Sequence, residues 1–235
     1  MKDERDALKN LKLSVVIPTI NEEETIGQVI DSIPRGEFKD VEVIVVDTNS
    51  TDRTVEIAKE RGAIVINEPR RGYGRAYKTG FSMCTGDIIA TMDGDGTYPA
   101  EDLAKIAEVL LEKNADFVTC DRLTKLSPGV MSTTHRVGNW VLSATLRLLF
   151  GLKIKDSQSG MWVFKRNILP KLKLESDGMA FSEEIKIECA IRGFNLVEVP
   201  INYRERRGKV KLNTWRDGIS NLIYLFKKRF KTLGV

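Results

Sequence analysis

The chain has 235 residues, of which 42% are hydrophobic and 30% are charged, so it is able to bury a sizeable core and remain soluble. This composition excludes collagen, intrinsically disordered proteins and small disulfide-rich scaffolds. Three cysteines without a Cys-x-x-Cys pair favour a reducing intracellular compartment, and a single histidine argues against zinc sites and His-based catalytic triads.

The net charge of +4 is unevenly distributed along the chain. Residues 204–235 contain ten basic and two acidic side chains, which leaves a net charge of −4 on the first 203 residues. A basic segment on an acidic body indicates either an anionic partner or a solvated surface helix. The charged start predicts no signal peptide, and no apolar run reaches the roughly 18 residues that a membrane-spanning helix requires.

Short apolar runs alternate with segments of helical spacing along the first half of the chain. The runs predicted as strands are residues 13–17, 41–46, 63–66, 87–92 and 117–120. The segments predicted as helices are residues 22–33, 51–61, 73–84 and 99–113. Continuous apolar strands separated by helices are typical of a parallel sheet that is covered by helices on both faces.

The second half is less regular. Its predicted elements are a loop at 123–134, a helix at 136–150, a strand-like or turn-like segment at 157–164, a helix at 181–192, a strand at 196–204 interrupted by Pro200, and a helix at 215–231. No internal repeat or linker separates this half from the first, so the pattern favours one domain.

Polar residues follow the first four predicted strands. In an open parallel sheet, ligands bind outside the carboxyl ends of the strands, so these residues are expected to meet. Asp93 and Asp95 flank one glycine directly after an apolar strand. Carboxylates this close repel each other unless a cation lies between them, and Mg²⁺ or Mn²⁺ accepts such oxygen ligands. We predict a divalent metal site here; a polar turn before the next helix is the alternative.

Two further loops at this edge carry candidate ligand-binding residues. Asp47 follows the second strand, where its carboxylate is suited to bond a ribose hydroxyl or a base edge, or to form an Asx-turn or helix cap. Arg71 and Gly72 belong to a run of cations and glycines that suits phosphate. The chain has neither a Walker A nor a GxGxxG motif, so ATPase and dinucleotide-binding functions lose their main support.

Three motifs resemble the GT-A glycosyltransferases of family 2 in order and spacing. They are residues 15–23 (Val-Val-Ile-Pro-Thr-Ile-Asn-Glu-Glu), 45–52 and 93–95 (Asp-Gly-Asp). Residues 156–160 (Asp-Ser-Gln-Ser-Gly) and 199–212 look like the polyprenyl-phosphate sugar synthases, which include dolichyl-phosphate mannose and glucose synthases. The resemblance, over about residues 13–215, implies the GT-A fold: a Rossmann-like, mainly parallel α/β sheet flanked by helices, with amphipathic helices in the C-terminal half.

The resemblance also implies residue roles. The residues implied for the nucleoside are Pro18, Ile20, Glu22 and Asp47. Asp93 would contact the ribose or the metal, and Asp95 would ligate Mg²⁺ or Mn²⁺ on the diphosphate. The residues implied for phosphate binding where donor and acceptor meet are Arg122 and Arg136, with Arg206 and Lys211 closing over the site from the C-terminal segment. The candidate catalytic residues are therefore Asp95, Arg122 and Arg136.

The implied reaction moves a hexose, with inversion at its anomeric carbon, from a GDP- or UDP-linked donor to dolichyl or polyprenyl phosphate. Because the attacking phosphate is already an anion, no strong general base is needed. The alternative is a carbohydrate acceptor, for which Glu183 or Glu184 would be the best base. The same two residues are equally well interpreted as solvated acids in the first turn of a helix. A nucleic-acid partner is not expected, because the acidic edge would repel it.

We expect one domain over residues 1–235, in which residues 13–122 bind the nucleotide sugar, 123–212 bind the acceptor and 213–235 form a basic amphipathic helix. This helix and the apolar helix at 136–152 are suited either to a membrane interface or to packing against the domain. The resemblance and this charge pattern together favour a cytoplasmic protein, peripherally associated with the inner face of the cell membrane.

Overall fold

The computed structural model describes residues 2–207 and 214–233. Seven strands in this part of the chain form one sheet. Their bounds are β1 Lys12–Thr19, β2 Asp40–Asp47, β3 Ile64–Asn67, β4 Ile88–Thr91, β5 Phe117–Asp121, β6 Trp162–Lys165 and β7 Leu196–Pro200. They lie in the order β3-β2-β1-β4-β6-β5-β7, and all are parallel except β6. The predicted fold class, a mainly parallel α/β sheet, is confirmed.

Eight α-helices of the described segments surround this sheet. Their bounds are α1 Lys2–Leu8, α2 Ile26–Asp31, α3 Thr54–Glu60, α4 Tyr73–Phe81, α5 Leu103–Glu112, α6 Thr133–Phe150, α7 Phe181–Ile191 and α8 Thr214–Leu233. Helix α1 was not predicted; it is held by the buried Leu8 and by a bond from Arg5 to Glu108 on α5. None of the helices in the described segments is both long and apolar enough to cross a membrane.

Both faces of the central strands are buried because apolar residues occupy consecutive positions. In β1, Val15 and Ile17 pack on the face covered by α2 and α5, whereas Val16 packs on the face covered by α4 and α7. Strand β6 lies between β4 and β5 and runs antiparallel to both. The spacing of the first half does not reveal this insertion, because β6 comes about forty residues after β5 in the chain.

Helices α6 and α8 each bury one side and expose apolar residues on the other. Leu142 and Leu146 of α6 pack with Ile187 of α7 and Leu225 of α8 in a small core beside the sheet. The outward side chains that are at least 45% exposed are Val137, Trp140 and Leu148 on α6 and Ile219, Ile223, Phe226 and Phe230 on α8. Packing against the domain, one of the two alternatives, therefore holds for one side of each helix, and a membrane interface on the other side stays a prediction.

Candidate active site

The carboxyl ends of β1, β2 and β3 meet at one edge of the sheet. Thr19 pairs with Asp47, and Asp47 pairs with Asn67 on the next strand. The Asp47 carboxylate is buried and accepts hydrogen bonds from Thr19 Oγ1 (3.2 Å) and the Ser50 amide (2.9 Å). Asp47 thus forms the Asx-turn after β2, and its predicted contact with the nucleoside stays a prediction.

A cavity of about 300 Å³ opens beside Asp47. It is lined by Asp47, Asn49, Ser50, Val55, Lys59, Val65 and Asn67. Pro18 and Ile20, at and just after the end of β1, are partly exposed at the same edge of the sheet. A mixed apolar and polar lining of this kind suits a nucleoside, which combines a flat ring with polar edges.

The loop that carries the two aspartates is pressed against the end of β1. A Cβ on Gly94 would come within 2.9 Å of Thr19 Cγ2, so glycine permits this approach. Thr25 Oγ1 donates a hydrogen bond to the Gly94 carbonyl at 2.7 Å. These contacts fix Asp93 and Asp95 at the carboxyl end of β4, next to Glu22, as the position of the motif predicts.

The two aspartates differ in their surroundings. Asp95 is buried, and its Oδ1 accepts hydrogen bonds from the Thr97 amide (3.1 Å) and hydroxyl (2.7 Å). Asp93 is half-buried and has no hydrogen-bond partner among the described residues. Burial and the neighbouring Asp95 charge raise the pKa of Asp93 to about 7, against the opposing charges of Arg206 and Arg122. This carboxyl therefore gains from any cation that binds between the pair.

Arg206 lies between two buried acids of the site. Its Nη1 is 3.3 Å from Asp95 Oδ2, and its Nη2 is 3.3 Å from Glu22 Oε1. The Arg204 amide donates to the Thr97 carbonyl at 2.9 Å, which holds this segment against the aspartate loop. The structure thus brings Glu22, Asp95 and Arg206 together. Lys211, predicted to act with Arg206, lies outside the described residues.

The residues present fit a divalent cation that is shared with a ligand. In residues 2–207 and 214–233, no cluster of three or more Asp, Glu, His or Cys side chains is available as a complete metal site. Asp93 and Asp95 supply hard oxygen atoms, and Asp93 is not engaged by any described hydrogen-bond donor. Magnesium and manganese sites in nucleotide enzymes commonly combine one or two carboxylates with phosphate oxygens and water.

The loop with Arg71 and Gly72 packs against residues 176–178. Gly72 has φ +156°, and a Cβ there would lie 2.4 Å from the Asp177 carbonyl oxygen, so both conformation and space require glycine. Arg71 is exposed, with no ion pair among the described residues. Arg70, by contrast, forms a two-point bond with the buried Glu68 (2.8 and 3.1 Å), which helps lower the pKa of Glu68 to about 2.

Arg122 is buried in a two-point ion pair. Its Nε and Nη2 donate to Asp156 Oδ2 (2.7 Å) and Oδ1 (2.9 Å). Its guanidinium carbon also lies 5.4 Å from the centre of the Tyr203 ring. Burial alone would raise the pKa of Asp156, but the charge and hydrogen bonds of Arg122 outweigh it and lower that pKa. Arg122 is thereby held rigidly, with its charge still acting on Asp93.

Arg136 is not joined to this cluster in the structure. It lies in the first turn of α6 and is exposed; its amide donates to the Ser132 carbonyl (3.0 Å), but its side chain forms no hydrogen bond or ion pair with another described residue. Its predicted contact with a phosphate stays a prediction.

Helix α7 buries several charged residues, including the two glutamates for which solvated acids were one of two interpretations. Glu183, Glu184 and Lys186 are all 0% exposed, so the interpretation of the two glutamates as solvated acids is wrong. Glu184 accepts hydrogen bonds from the amides of Glu175 (3.0 Å) and Ser176 (2.8 Å). Burial raises the pKa of Glu183 to about 8. The sequence offered these two glutamates as bases for a carbohydrate acceptor but gave no sign of their burial, because polar helix residues ordinarily indicate a solvated face.

Comparisons with known proteins point to one family. The sequence profile described as Glycosyl transferase family 2 matches residues 14–173. The chain is 39% identical, over 88% of its length, to the low-salt glycan biosynthesis hexosyltransferase Agl6 of Haloferax volcanii, of which it spans only 51%. It is 37% identical to the dolichyl-phosphate hexose transferase of the same organism, over 88% of this chain and 89% of that one.

A solved structure shares the fold. Glucosyl-3-phosphoglycerate synthase from Mycobacterium tuberculosis, in complex with Mn²⁺, UDP and glucosyl-3-phosphoglycerate, superimposes with a TM-score of 0.78 at 25% identity. The match covers 97% of this chain and 83% of that protein.

Proposed function

This chain belongs to glycosyl transferase family 2, and from that premise we propose that it transfers a hexose from a nucleoside diphosphate sugar to the phosphate of a polyprenyl or dolichyl lipid. One observation carries the proposal: Asp93 and Asp95 follow β4 at the sheet edge where Arg122 follows the parallel strand β5, and Arg206 lies 3.3 Å from Asp95 at the same edge. Carboxylates suit a metal-bound diphosphate, and adjacent arginines suit a second phosphate. The dolichyl-phosphate hexose transferase relative supports the lipid acceptor.

On the donor side, Asp93 and Asp95 would hold Mg²⁺ or Mn²⁺ against the diphosphate. When bound, such a cation neutralises charge on the departing diphosphate. Pro18, Ile20, Glu22 and Asp47 would surround the nucleoside, and the loop with Arg71 and Gly72 would approach the phosphates. We assign this role to residues 13–122, the acceptor role to residues 123–212 and a surface role to residues 213–235, within one domain.

On the acceptor side, Arg122 would orient the lipid phosphate, with Arg136, Arg206 and Lys211 completing its phosphate contacts. A phosphate oxygen would attack the anomeric carbon as the bond from that carbon to the nucleoside diphosphate breaks, inverting the configuration. The attacking oxygen is already anionic, so no side chain has to remove a proton. The two glutamates of α7, which the sequence offered as bases for a hydroxyl acceptor, are fully buried.

A lipid acceptor requires a surface where the membrane meets the site. The exposed apolar sides of α6 and α8, here called the apolar face, include Trp140 (63% exposed), Leu148 (84%) and Phe230 (56%). Lys227 is exposed on α8, and the guanidinium carbon of Arg229 lies 5.9 Å from the centre of the Phe150 ring. Apolar helix sides flanked by cations suit the interface of an anionic membrane. We propose that the protein binds the inner face of the cell membrane peripherally through this face.

Replacing Trp140 and Phe226 together by serine should weaken binding to anionic vesicles at least about tenfold, because two large apolar side chains no longer enter the lipid. Sedimentation with phosphatidylglycerol vesicles measures this. Ile64→Ser is the matched control, since Ile64 is 47% exposed on β3 at the opposite edge of the sheet. Unchanged sedimentation of the double variant would assign the apolar face to a protein partner. Deleting α8 is a poorer test, because Leu225 belongs to the core.

A transfer assay tests the whole proposal. The enzyme is incubated with Mg²⁺ or Mn²⁺ and radiolabelled GDP-mannose, UDP-glucose or UDP-N-acetylglucosamine, with and without a short polyprenyl phosphate. We expect label to enter the organic phase from one donor, which identifies sugar and nucleoside together. Metal-dependent hydrolysis of one donor without a lipid product would contradict the lipid acceptor. It would favour a soluble acceptor, as in the glucosyl-3-phosphoglycerate synthase that shares the fold.

A further inference from the structure

Lys186 is a fully buried lysine at the centre of α7. Its Nζ donates hydrogen bonds to the main-chain carbonyls of Ser157 (2.7 Å), Ser159 (3.0 Å) and Asp156 (3.3 Å). An ammonium group has three hydrogen-bond donors, and here each one has a partner. Since burying an isolated charge is costly, the position of this lysine requires a specific reason.

The reason lies in the loop that these carbonyls belong to. The loop of residues 156–160 begins at Asp156, whose carboxylate binds Arg122. It ends at Gly160, whose amide donates a hydrogen bond to the Tyr98 hydroxyl at 2.8 Å. The Gly160 carbonyl accepts from Thr91 Oγ1 at 2.7 Å, at the end of the strand that precedes Asp93. The loop therefore touches both the Arg122 pair and the strand that carries the aspartates.

Lys186 joins three carbonyls of this loop to α7. The three carbonyls converge on one point, and a single hydroxyl or amide cannot serve three acceptors. The centre of the Trp162 ring lies 5.7 Å from the ammonium, so the ring adds a cation–π attraction. Glu183, one turn earlier, accepts from the Gln158 side chain at 2.6 Å, so α7 holds the same loop at a second place.

We propose that Lys186 is a positioning residue for sugar transfer: it fixes residues 156–160, and through Asp156 it holds Arg122 at the angle at which Arg122 meets the acceptor phosphate. This inference rests on the proposed role of Arg122. Lys186 itself touches no substrate. Its loss should slow the transfer step without affecting the binding of the sugar donor, because the residues predicted for the nucleoside (Pro18, Ile20, Glu22 and Asp47) lie at or just after the ends of β1 and β2.

The test replaces Lys186 by methionine, which keeps the length of the side chain and removes its charge and hydrogen bonds. We expect kcat for transfer to polyprenyl phosphate to fall on the order of 10²-fold, the cost of misplacing a catalytic group by about an ångström. The KM for the nucleotide sugar should stay within about twofold. Asp116→Ala is the control for stability: Asp116 bonds Lys165 (3.0 Å) and the Asn195 amide (3.0 Å) at the amino end of β5. It should lower the Tm and leave kcat unchanged.

A double variant distinguishes positioning from a general structural role. Arg122→Lys keeps the charge but loses the two-point geometry, so it should also lower kcat. If Lys186 acts through Arg122, the double variant is no slower than the slower single variant. Multiplying effects, or a wild-type kcat in Lys186→Met, would overturn the proposal.

A second variant keeps the test decisive if methionine prevents folding. Lys186→Gln retains two N–H groups, and it should give a smaller loss of kcat in the same direction; wild-type kcat in this variant would also overturn the proposal. The proposed function fails separately. A wild-type kcat in Arg122→Lys would contradict the proposed role of Arg122 itself. A lowered kcat in Arg122→Lys together with a wild-type kcat in the Lys186 variants would contradict only the positioning role of Lys186.

Discussion

Asp95→Ala should reduce sugar transfer on the order of 10³-fold or more with every nucleotide sugar. Asp95 is 3% exposed, and its Oδ2 faces the site beside Arg206. Without it, Asp93 is the only remaining carboxylate of the pair, so a divalent cation would lose one of the two carboxylates proposed to hold it. Neutralising the departing diphosphate accounts for several kcal/mol of transition-state stabilisation, which corresponds to this loss of rate.

Two measurements check this prediction. Initial rates at saturating Mn²⁺ give the loss in kcat, and calorimetric titration of the nucleoside diphosphate with and without Mn²⁺ shows whether the metal-dependent part of binding disappears. The matched control is Asp87→Ala, because Asp87 immediately precedes the amino end of the same strand, where it bonds the Lys12 amide at 2.9 Å. Retention of more than about a tenth of the transfer rate in Asp95→Ala would rule out the metal assignment.

Asp156→Ala should lower the free energy of unfolding by about 3–5 kcal/mol, because it leaves a buried guanidinium without its counter-charge. The side chains of Asp156 and Arg122 are 0% and 11% exposed. Urea unfolding followed by circular dichroism measures the change. Activity should fall as well, since Arg122 loses the carboxylate that holds it.

An exposed pair of the same geometry provides the control. Arg53 bonds Glu56 through Nε and Nη2 at 3.0 Å each, but both side chains are more than half exposed. Glu56→Ala should therefore change stability very little, because water replaces the lost contact. Equal losses in Glu56→Ala and Asp156→Ala would contradict the argument from burial.

The stability contributed by Asp156 also has a defined pH range. The pKa of Asp156 is lowered in the folded protein, so its contribution is fully present above the unfolded value of about 3.9 and is lost as the pH falls through the folded value. The difference between the wild type and Asp156→Ala should stay constant from about pH 5 to 8 and shrink below about pH 4. A difference that shrinks near neutral pH would point to another group.

Much of the first half of the chain was predictable because its signals are local. Val15, Val16 and Ile17 are adjacent apolar residues, a pattern that indicates a strand buried on both faces, and the structure buries all three. Asp93 and Asp95 stand two positions apart after such a strand, so their proximity follows from covalent geometry. The edge that they share with Glu22 and Asp47 follows from the rule for parallel sheets.

The second half depended on contacts between residues far apart in the chain. Strand β6 enters between β4 and β5, although it follows β5 by about forty residues in the chain. Arg122 and Asp156 are 34 positions apart, and their ion pair has no counterpart in any local pattern. The two faces of α8 were identifiable by periodicity, but only packing shows that Leu225 enters the core while Phe226 remains 45% exposed.

Helix α7 marks the limit of prediction from sequence most clearly. Periodicity identifies the helix over 181–192 correctly, since backbone spacing is a local property. Its glutamates and Lys186 are charged, however, and the sequence does not indicate whether water or other protein groups form their hydrogen bonds. Those partners come from the loop at 156–160 and, through Tyr224 and Lys228, from α8. Whether a charge faces water or a closed set of hydrogen bonds is decided by segments that meet only when the chain folds.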